Sequence, residues 1–479
     1  MQRQFVFVMV FVAAGMVFGP RDATAQQSDR FDKWLQPGYF RGFNVGYYCS
    51  VSPVVRTLDD LIDLKRTGAN LAQIGVYGEN FRRVEWPYDE DPNGRSVVTQ
   101  MVDFCRGAGI HYTIACRTGP GLYDIADEEP THVTTIWHRD SAAQRAMHGR
   151  MLREIAEAFR DDTLFVGLTP VVEPAPLGNM YLGPADLAAA LADSGIDLPA
   201  VYAEWIDSIR AGDPNLPVIV QAPQLANPEY WLEPGLIAKQ NDPRVVYDFH
   251  AYEPIDYTHH PVMNQAIYPG THWNETVQDF VLWDSAFYHN TVFAHVRAFQ
   301  QAHGVPILMG EFGMRYPQIN GETFLLDFYA IAHAYGWHFA LWAWRGDTAK
   351  SAFEFDYEMF DSAAGGGTTY WEAVQSMFRT PSTGVPDAGH PGRQALSLHA
   401  VPNPARTETV LRYELSARAH VTATVYDALG KDVGTLADAE EEPGRHSVVW
   451  RTAGYAPGAY LCRITAGRDG ATAIVVVRR

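Results

Sequence analysis

The chain has 479 residues, a formal net charge of −19 and 13% aromatic residues. This length predicts more than one domain, and an acidic chain with scattered basic residues excludes the positive surface that nucleic-acid binding requires. Four cysteines in so long a chain exclude a disulfide framework. A single bridge between Cys49 and Cys116 and a set of buried free thiols both remain open.

The N-terminal residues predict an export signal. Arg3 precedes an apolar run from Phe5 to Phe18, and Ala23-Thr24-Ala25 fits a cleavage site before Gln26. The apolar run is too short to cross a bilayer readily, and no later segment approaches its length. We therefore predict a signal peptide over residues 1–25, a secreted or cell-surface location and no membrane span in the mature chain.

Residues 26–379 alternate strand-like and helix-like segments, which predicts a (β/α)8 barrel. The strand candidates are mostly continuous apolar runs, as expected for parallel strands buried on both faces. A doubly wound sheet is the alternative, but polar residues end many of the strands and not only those at one switch point. The helix candidates include Thr57–Thr67, Ser141–Arg160 and Pro199–Ala211. The strand candidates are Arg41–Gly46, Asn70–Val76, His111–Arg117, Phe165–Glu173, Pro217–Ala222, Val245–His250, Pro306–Glu311 and Phe339–Trp344.

The composition changes after residue 379. Residues 380–395 are rich in proline, glycine and polar side chains, which predicts a linker. Residues 396–479 hold short alternating strands separated by turn signals, which predicts a small β-sandwich. The strand candidates of this segment are Val410–Leu415, Val421–Tyr426, Ser447–Trp450, Ala459–Ile464 and Thr472–Val477.

Two glutamates are the most informative residues of the barrel segment. Glu173 ends the run FVGLTPVVEP and Glu311 lies in PILMGEFG, so each follows an apolar strand candidate. The C-terminal ends of barrel strands face the active site, and a pair of carboxyl groups in one cleft equips a glycosidase. The other polar or aromatic residues at the predicted strand ends are Asn44, Gln73, Arg117, Gln221, His250 and Trp342.

Residues from about 38 to 378 resemble glycoside hydrolase family 5, the cellulase and mannanase family built on a (β/α)8 barrel. The resemblance implies that Glu173 is the general acid/base and Glu311 the nucleophile. It also implies that His250 and Tyr252 orient Glu311 through hydrogen bonds, and that Trp342 forms the floor under the sugar. The matching motifs are Gly42-Phe43-Asn44, Leu64–Asn70, Glu173-Pro174, His250–Pro254 with Thr258-His259, Gly310–Gly313 and Trp342.

The chain departs from the family pattern around the sugar. Val172 stands where the family usually has asparagine, Gln73 stands in place of an arginine, and the third strand candidate leads into Arg117 without the usual histidine. We expect Arg117 to assume part of the lost polar role and Gln221 to serve the sugar 2-hydroxyl. Asn44 and Gln73 are further expected substrate-binding residues.

Aromatic residues are the remaining candidates for sugar contacts. Trp137 and Trp344 are expected to bind substrate, since aromatic rings stack on the C–H faces of sugars. For the aromatics in the long loops, the alternative is that they pack those loops down. His259-His260 does not predict a metal site, because adjacent side chains rarely share one ion; no metal and no cofactor is expected. The loop aromatics are Trp137, Tyr257, Tyr268, Trp273 and Trp283.

These observations predict a secreted, retaining β-glycoside hydrolase that acts on a β-linked glucan or mannan. Retention requires the two carboxyl groups to lie roughly 5 Å apart, which couples their ionisation. We expect Glu311 to ionise first and Glu173 to remain the proton donor. The alternatives are a glycosidase of different sugar specificity and a carbohydrate-binding barrel without catalysis.

The C-terminal segment resembles the sorting tails of the type IX secretion pathway. The resemblance implies that the secretion machinery is a partner of this segment. The alternative is a polysaccharide-binding module, although the few aromatics of the segment are spaced as for a core. The matching features are Pro402-Asn403-Pro404, Asp427–Gly430, Gly444-Arg445-His446, Gly458-Ala459-Tyr460 and the apolar strand that ends at Arg478-Arg479.

Overall fold

The structure is a computed structural model, and its contacts divide the chain into two compact units at residues 384 and 385. The predicted signal peptide, the predicted linker and Cys49 lie outside the described residues. The structure describes residues 29–48, 57–78, 81–82, 92–122, 135–137, 141–177, 182–233, 235–259, 266–274, 279–314, 318–344, 369–379, 398–401, 405–415, 418–426, 432–466 and 469–478.

Eight parallel strands close into a barrel in the first unit, which confirms the predicted (β/α)8 architecture. Neighbouring barrel strands follow one another along the chain, and the last strand pairs with the first. The eight strands are β1 (Arg41–Tyr48), β2 (Leu71–Val76), β3 (His111–Cys116), β4 (Phe165–Thr169), β5 (Val218–Gln221), β6 (Val245–Ala251), β9 (Ile307–Phe312) and β10 (His338–Leu341).

Helices alternate with the barrel strands along the chain. The helix Leu58–Arg66 shows why they begin and end where they do: Thr57 and Asp60 form a reciprocal capping box at its start. Gly68 follows the end of this helix with a φ of 101°, which a side chain would strain. The longer helices are Leu58–Arg66, Pro92–Ala108, Ala142–Ala158, Pro184–Asp193, Leu198–Gly212, Ala294–His303, Gly321–Tyr335 and Thr369–Arg379.

The segment between β6 and β9 adds a hairpin to the barrel. Its strands β7 (Gly270–Asn274) and β8 (Asp279–Trp283) pair antiparallel. His272 anchors the hairpin, because its ring contacts a carboxylate oxygen of Asp256 at 3.1 Å and the carbonyl of Ile267 at 2.8 Å. Asp256 belongs to the short helix Ile255–Thr258, which follows β6, so the hairpin lies at the C-terminal end of the barrel strands.

A short N-terminal helix, Asp29–Trp34, closes the opposite end of the barrel. The Trp34 indole donates a hydrogen bond to the carbonyl of Val166 at 2.7 Å. Arg30 forms a buried ion pair with Asp213 at 2.9 Å. These contacts seal the N-terminal end of the barrel. The apolar cluster at the sealed end contains Trp34, Phe40, Leu71, Val166, Ile219, Val246 and Leu308.

The second unit consists of two antiparallel sheets that share one apolar core, as expected from the alternating pattern. The first sheet contains, in order, β11 (Leu398–Val401), β12 (Glu408–Leu415) and β15 (Gly444–Arg451). The second contains, in order, β14 (Asp432–Glu441), β13 (Ala419–Tyr426), β16 (Gly458–Ala466) and β17 (Asp469–Val477). The sequence did not predict β11 or β14, which are the first and fourth strands of this unit. Among the described residues, no helix has the length and apolar character needed to cross a membrane.

Candidate active site

Glu173 lies at the C-terminal end of the barrel, but not on a strand. β4 ends at Thr169, four residues earlier than expected, and Glu173 has a left-handed φ of 52° in the loop that follows. Its backbone N–H donates a hydrogen bond to Oε1 of Gln221 at 2.6 Å. This bond holds a strained backbone position in place and directs the Glu173 side chain into the barrel mouth.

The carboxylate of Glu173 has two cationic or potentially cationic partners. Arg117, one residue beyond β3, donates from its guanidinium to Oε2 at 2.8 Å. Nδ1 of His250 on β6 lies 2.9 Å from Oε1. The side chains of Arg117 and Glu173 are 14% and 9% exposed, so this ion pair reaches the barrel mouth.

Glu311 lies on β9, as expected, with a different set of partners. The Tyr252 hydroxyl donates to Oε2 of Glu311 at 3.1 Å. Nδ1 of His250 lies 3.6 Å from the same oxygen, beyond a good hydrogen bond. The structure therefore agrees with Tyr252 as the partner of Glu311, but the expected hydrogen bond from His250 to Glu311 is wrong, because the ring is closer to Glu173.

The two carboxyl groups face each other across a short gap. One oxygen of Glu173 and one oxygen of Glu311 lie within 4.8 Å of each other. Retaining glycosidases place their carboxyl groups about 5 Å apart, whereas inverting enzymes leave about 6.5–9.5 Å for a water molecule. The distance between these two oxygens matches the shorter of the two spacings.

The backbone of Gly310, the residue directly before Glu311, is held by hydrogen bonds at both its carbonyl and its N–H. Its carbonyl accepts hydrogen bonds from the side-chain amides of Asn44 at 2.8 Å and Gln73 at 3.2 Å. Its N–H donates to Oδ1 of Asp248 at 2.8 Å. Asn44 and Gln73 are buried, and their side-chain amides donate to this carbonyl. We therefore correct the expectation that they bind substrate: they support the strand that carries Glu311.

Gln221 plays a similar supporting part beneath Glu173. Its Oε1 accepts from the Glu173 backbone, and its Nε2 donates to Oδ2 of Asp248 at 2.7 Å. The side chain is 1% exposed, so the expectation that it serves a sugar hydroxyl is also corrected. Nε2 of His250 lies 3.0 Å from Nε2 of Gln221. Because the Gln221 nitrogen is a donor, this contact assigns the hydrogen of a neutral His250 ring to Nδ1, facing Glu173.

The environment of the pair separates the pKa values of its two members. Burial alone would raise the pKa of Glu173, but the adjacent Arg117 and His250 outweigh it and lower the pKa to about 2. Burial raises the pKa of Glu311 to about 7, with the negative charge of Glu173 adding to the effect and His250 opposing it. The expected order, in which Glu311 ionises first, is therefore reversed.

Opposing effects act on His250 itself. Burial lowers its pKa, while the carboxylates of Glu311, Asp248 and Glu173 together raise it well above the usual value. Protonation of Nε2 would set two donors 3.0 Å apart, because the amide of Gln221 already points a hydrogen there. The ring carries a hydrogen on Nδ1 in either protonation state, so its contact with Glu173 is maintained.

The expected aromatic contacts divide into one at the cleft and two in the core. Trp342 follows β10 directly, is half-buried, and has a cis peptide bond to Ala343. Trp137 is fully buried against Trp205, with ring centroids 5.5 Å apart. Trp344 is buried against Phe43, with centroids 5.3 Å apart. The expectation that Trp137 and Trp344 bind substrate is wrong, because both rings are covered by protein.

The loop aromatics after β6 separate in the same way. Tyr257, Tyr268 and Trp283 are buried and pack the hairpin and its neighbouring helices. Trp273 remains 37% exposed and packs edge-on against the exposed Phe280 of the facing strand. Of these four residues, Trp273 is the one whose ring is available to a sugar.

The support of Tyr252 comes from the short helix that follows β6. Thr258 donates its hydroxyl hydrogen to the Tyr252 carbonyl and contacts Nδ1 of His259. The ring of His259 packs edge-on against Tyr252 at 5.0 Å between centroids. These contacts fix the direction of the phenol toward Glu311, and they explain the role of Thr258-His259 in the motif.

One group of potential metal ligands occurs among the described residues. Glu173, His250 and Glu311 each offer a donor atom, and these atoms lie within 4.8 Å of one another. The guanidinium of Arg117 already contacts Glu173 and would repel a cation at this point. The donor set therefore serves proton chemistry better than metal binding. Cys116 is a free buried thiol, and its predicted partner Cys49 lies outside the described residues.

Comparisons with known proteins agree with this geometry. Residues 31–348 match the family model described as cellulase, glycosyl hydrolase family 5. No curated protein matches the chain. Solved structures show the same fold, and the three described next are each covered over nearly their whole length.

These three structures are distant from the chain in sequence. A family 5 lichenase from Caldicellulosiruptor sp. F32 is 16% identical, with a TM-score of 0.54 over 78% of this chain and 100% of that chain. The endoglucanase Cel5A from Thermotoga maritima is 15% identical, with a TM-score of 0.52 over 74% and 99%. The cellulose synthase subunit Z from Clostridioides difficile is 17% identical, with a TM-score of 0.51 over 71% and 99%.

Proposed function

Because the chain belongs to glycosyl hydrolase family 5, we propose that it hydrolyses the β-glycosidic bonds of a glucan or mannan with retention of configuration. The observation that supports this proposal most strongly is the approach of the Glu173 and Glu311 carboxylates to within 4.8 Å. That spacing suits a covalent intermediate and leaves no room for a water molecule between the acid and the base.

In this mechanism Glu311 attacks the anomeric carbon while Glu173 gives a proton to the departing glycosidic oxygen. The C–O bond to the leaving group breaks as the bond between the sugar and the Glu311 carboxylate forms. Glu173, now ionised, then takes a proton from water, which attacks the glycosyl–enzyme and releases Glu311. The Tyr252 phenol, 3.1 Å from Glu311, orients the nucleophile.

The proton must be on Glu173 for the first step, whereas the ion pair with Arg117 favours an ionised Glu173. We therefore propose that the sugar on the leaving-group side separates Arg117 from Glu173. Loss of this ion pair raises the pKa of Glu173 and moves the shared proton to it from Glu311. Arg117 is partly exposed at the barrel mouth, so its guanidinium can turn toward solvent when it leaves Glu173.

Trp342 is the proposed aromatic floor of the cleft. Its ring is half-buried and lies directly after β10, at the same end of the barrel as the two glutamates. An indole face covers the apolar C–H face of a pyranose, which desolvates the ring near the cleavage point. Asn44, Gln73 and Gln221 act indirectly, by holding the backbone of the two glutamates.

A hydrolysis screen tests the proposed activity. The mature protein and its Glu311→Gln variant would be assayed on β-glucans, β-mannans and aryl β-glycosides, with reducing ends as the readout. We expect hydrolysis by the mature protein and a loss of about 10⁴-fold or more in the variant, as for other covalent nucleophiles. Glycan binding without hydrolysis would support the carbohydrate-binding barrel, and near-normal turnover by the variant would refute the nucleophile.

We also propose that the chain is exported and that its second unit is a sorting domain for the type IX secretion machinery. The signal-like N-terminus and the tail motifs support this proposal. A chain that ends after Phe378 should hydrolyse substrate like the mature protein but stay in the periplasm of its native host. Normal secretion with weaker binding to insoluble polysaccharide would instead identify a binding module.

A further inference from the structure

One fully buried carboxylate connects the supports of both catalytic glutamates. Asp248 lies on β6, is 0% exposed, and none of the proposed catalytic steps uses it. We propose that Asp248 is the positioning residue that fixes the positions of Glu173 and Glu311 relative to each other. This inference rests on the proposed function, and it assigns a new role within the same site.

The first contact is on the Glu311 side. Oδ1 of Asp248 accepts a hydrogen bond from the Gly310 N–H at 2.8 Å. A Cβ atom at position 310 would lie 2.4 Å from that oxygen, so glycine is required for this approach. The residue before Glu311 is therefore pulled toward β6, while Asn44 and Gln73 hold its carbonyl from the other side.

The second contact is on the Glu173 side. Oδ2 of Asp248 accepts from Nε2 of Gln221 at 2.7 Å, which fixes the orientation of that amide. Oε1 of Gln221 is then directed at the Glu173 N–H, 2.6 Å away. If the amide turned over, its oxygen would face the Asp248 carboxylate and its nitrogen would face the Glu173 N–H. Both contacts would become repulsive, so Asp248 determines how the backbone of Glu173 is anchored.

The same amide also orients His250. With Nε2 of Gln221 as a donor, the neutral imidazole accepts at its own Nε2, 3.0 Å away, and carries its hydrogen on Nδ1. That hydrogen faces Oε1 of Glu173 at 2.9 Å. Asp248 therefore acts on three catalytic groups through its hydrogen bonds to Gly310 and Gln221, although its own oxygens do not approach those groups within a good hydrogen-bond distance.

Exchanging the hydrogen-bond donor and acceptor between positions 248 and 221 distinguishes positioning of the glutamates from simple stabilisation of the barrel. In Asp248→Asn only one of the two side-chain atoms can accept, so either Gly310 or Gln221 faces a second donor. In the double variant Asp248→Asn, Gln221→Glu, the oxygen of the introduced amide accepts from Gly310 and its nitrogen donates to the introduced carboxylate. The other oxygen of that carboxylate still accepts from the Glu173 N–H, so the hydrogen bonds to Gly310 and Glu173 and the net charge are restored. The oxygen that replaces the Gln221 nitrogen accepts from Nε2 of a protonated His250 ring, which keeps its other hydrogen on Nδ1 toward Glu173.

We expect Asp248→Asn to lower kcat by about 10²-fold with KM nearly unchanged, since small misplacements of catalytic groups have effects of this order. The double variant should recover most of the lost kcat. Asp162→Asn is the matched control: Asp162 accepts from Tyr112 at 2.7 Å and from Arg106, away from the cleft. This control should lower the melting temperature without changing kcat. A folded double variant as slow as the single variant would overturn the proposal.

A second readout does not depend on turnover. In protein labelled with ¹⁵N-glutamate, the Glu173 backbone amide should give a distinct resonance because of its short hydrogen bond to Gln221. Asp248→Asn should shift that resonance, and the double variant should return it toward its original position. An unchanged resonance in Asp248→Asn would overturn positioning even in an active enzyme. Absence of glycan hydrolysis with the expected shifts would instead refute the proposed function and leave this inference standing.

Discussion

The two ends of the barrel each contain a buried histidine and a buried arginine–carboxylate pair, but their chemistry differs. At the N-terminal end, His338 contacts the N–H of Phe40 at 3.0 Å and the carbonyl of Trp34 at 2.8 Å. Both partners are uncharged backbone groups, so burial dominates and lowers the pKa of His338 to about 4. His250, as deeply buried at the other end, is surrounded by carboxylates that raise its pKa.

The ion pairs show the same contrast. Arg30 and Asp213 at the sealed end are 1% and 0% exposed, and one terminal guanidinium nitrogen of Arg30 donates to both carboxylate oxygens. Arg117 and Glu173 reach the barrel mouth, where Glu311 and Asp248 add two more carboxyl groups close to His250. Burial alone therefore does not make a reactive site; several acid groups that share one histidine in a solvent-accessible cleft do.

After loss of the nucleophile Glu311, the largest effect is expected from removing the proton donor. Glu173→Ala should slow glycosides with poor leaving groups by about 10²–10⁴-fold, because their departing oxygen needs protonation. Aryl glycosides with activated leaving groups should lose much less, and azide should accelerate the variant by attacking the glycosyl–enzyme. Steady-state rates on the two substrate classes measure this difference. An equal loss on both, without azide rescue, would remove Glu173 from the acid/base role.

At the sealed end the expected effect is on stability. Arg30→Met leaves the fully buried Asp213 without its cation, which should lower the free energy of unfolding by about 3–5 kcal/mol. The pH dependence of activity should not change, because this pair lies far from the cleft. The control Arg66→Met breaks an exposed pair with Asp63 and should cost at most about 1 kcal/mol. Denaturant titrations compare the two; a shifted pH profile in Arg30→Met would contradict the separation of the two ends.

The pH profile should reveal the raised pKa of Glu311. The reaction starts from the pair with one shared proton, which Glu311 carries in the free enzyme with a pKa raised to about 7. Loss of that proton leaves no acid for the leaving group, so kcat/KM should fall as the pH rises through this value. In Arg117→Gln a positive charge that lowers the pKa of both Glu173 and Glu311 is lost, so the pair keeps its shared proton to higher pH. We expect the basic limb to move about one unit to higher pH.

The matched control for this shift is Arg145→Gln, which breaks an ion pair with Glu204 away from the cleft. Its basic limb should coincide with that of the unmodified protein. A basic limb that stays in place or moves to lower pH in Arg117→Gln would mean that Arg117 does not control the proton shared by Glu173 and Glu311, and the proposed exchange of the proton would be wrong.

A smaller effect is expected at the hairpin, where the exposed Trp273 lies at the same end of the barrel as the two glutamates. Trp273→Ala should weaken binding of a long β-glycan by about 1 kcal/mol, or about fivefold, while aryl glycosides are hydrolysed normally. Leu326→Ala, at a comparably exposed apolar residue on the helix Gly321–Tyr335, is the control and should change neither. KM values on polymer and on aryl glycoside provide the comparison; equal values for both variants would exclude Trp273 from substrate binding.

The sequence predicted the barrel well because its parallel strands are buried on both faces and appear as continuous apolar runs. The same signal failed at the end of β4. Val171 and Val172 are apolar and buried, so the run continues to Glu173 although the strand hydrogen bonds stop at Thr169. Apolar periodicity reports burial, and it cannot report where backbone pairing ends.

The site was predicted in its residue types but not in all of its contacts. Trp137 and Trp344 were expected at the cleft, yet an indole in a loop is equally suited to fill the core, and packing decides between the two. Asp248 was missed because it lies inside an apolar strand and its partners, Gly310 and Gln221, come from two other strands. Only the closed barrel brings these three together, so a single sequence without its fold contains no local signal for the contact.

The stereochemical course of hydrolysis tests the central claim most directly, because it depends on the distance between the carboxyl groups of Glu173 and Glu311. Proton NMR during the first minutes of hydrolysis of a soluble β-glycan would identify the anomer that forms before mutarotation. The approach of one oxygen from each group to within 4.8 Å predicts that the β-anomer appears first. Initial formation of the α-anomer would mean that a water molecule acts between the two carboxyl groups, and it would contradict the double-displacement mechanism.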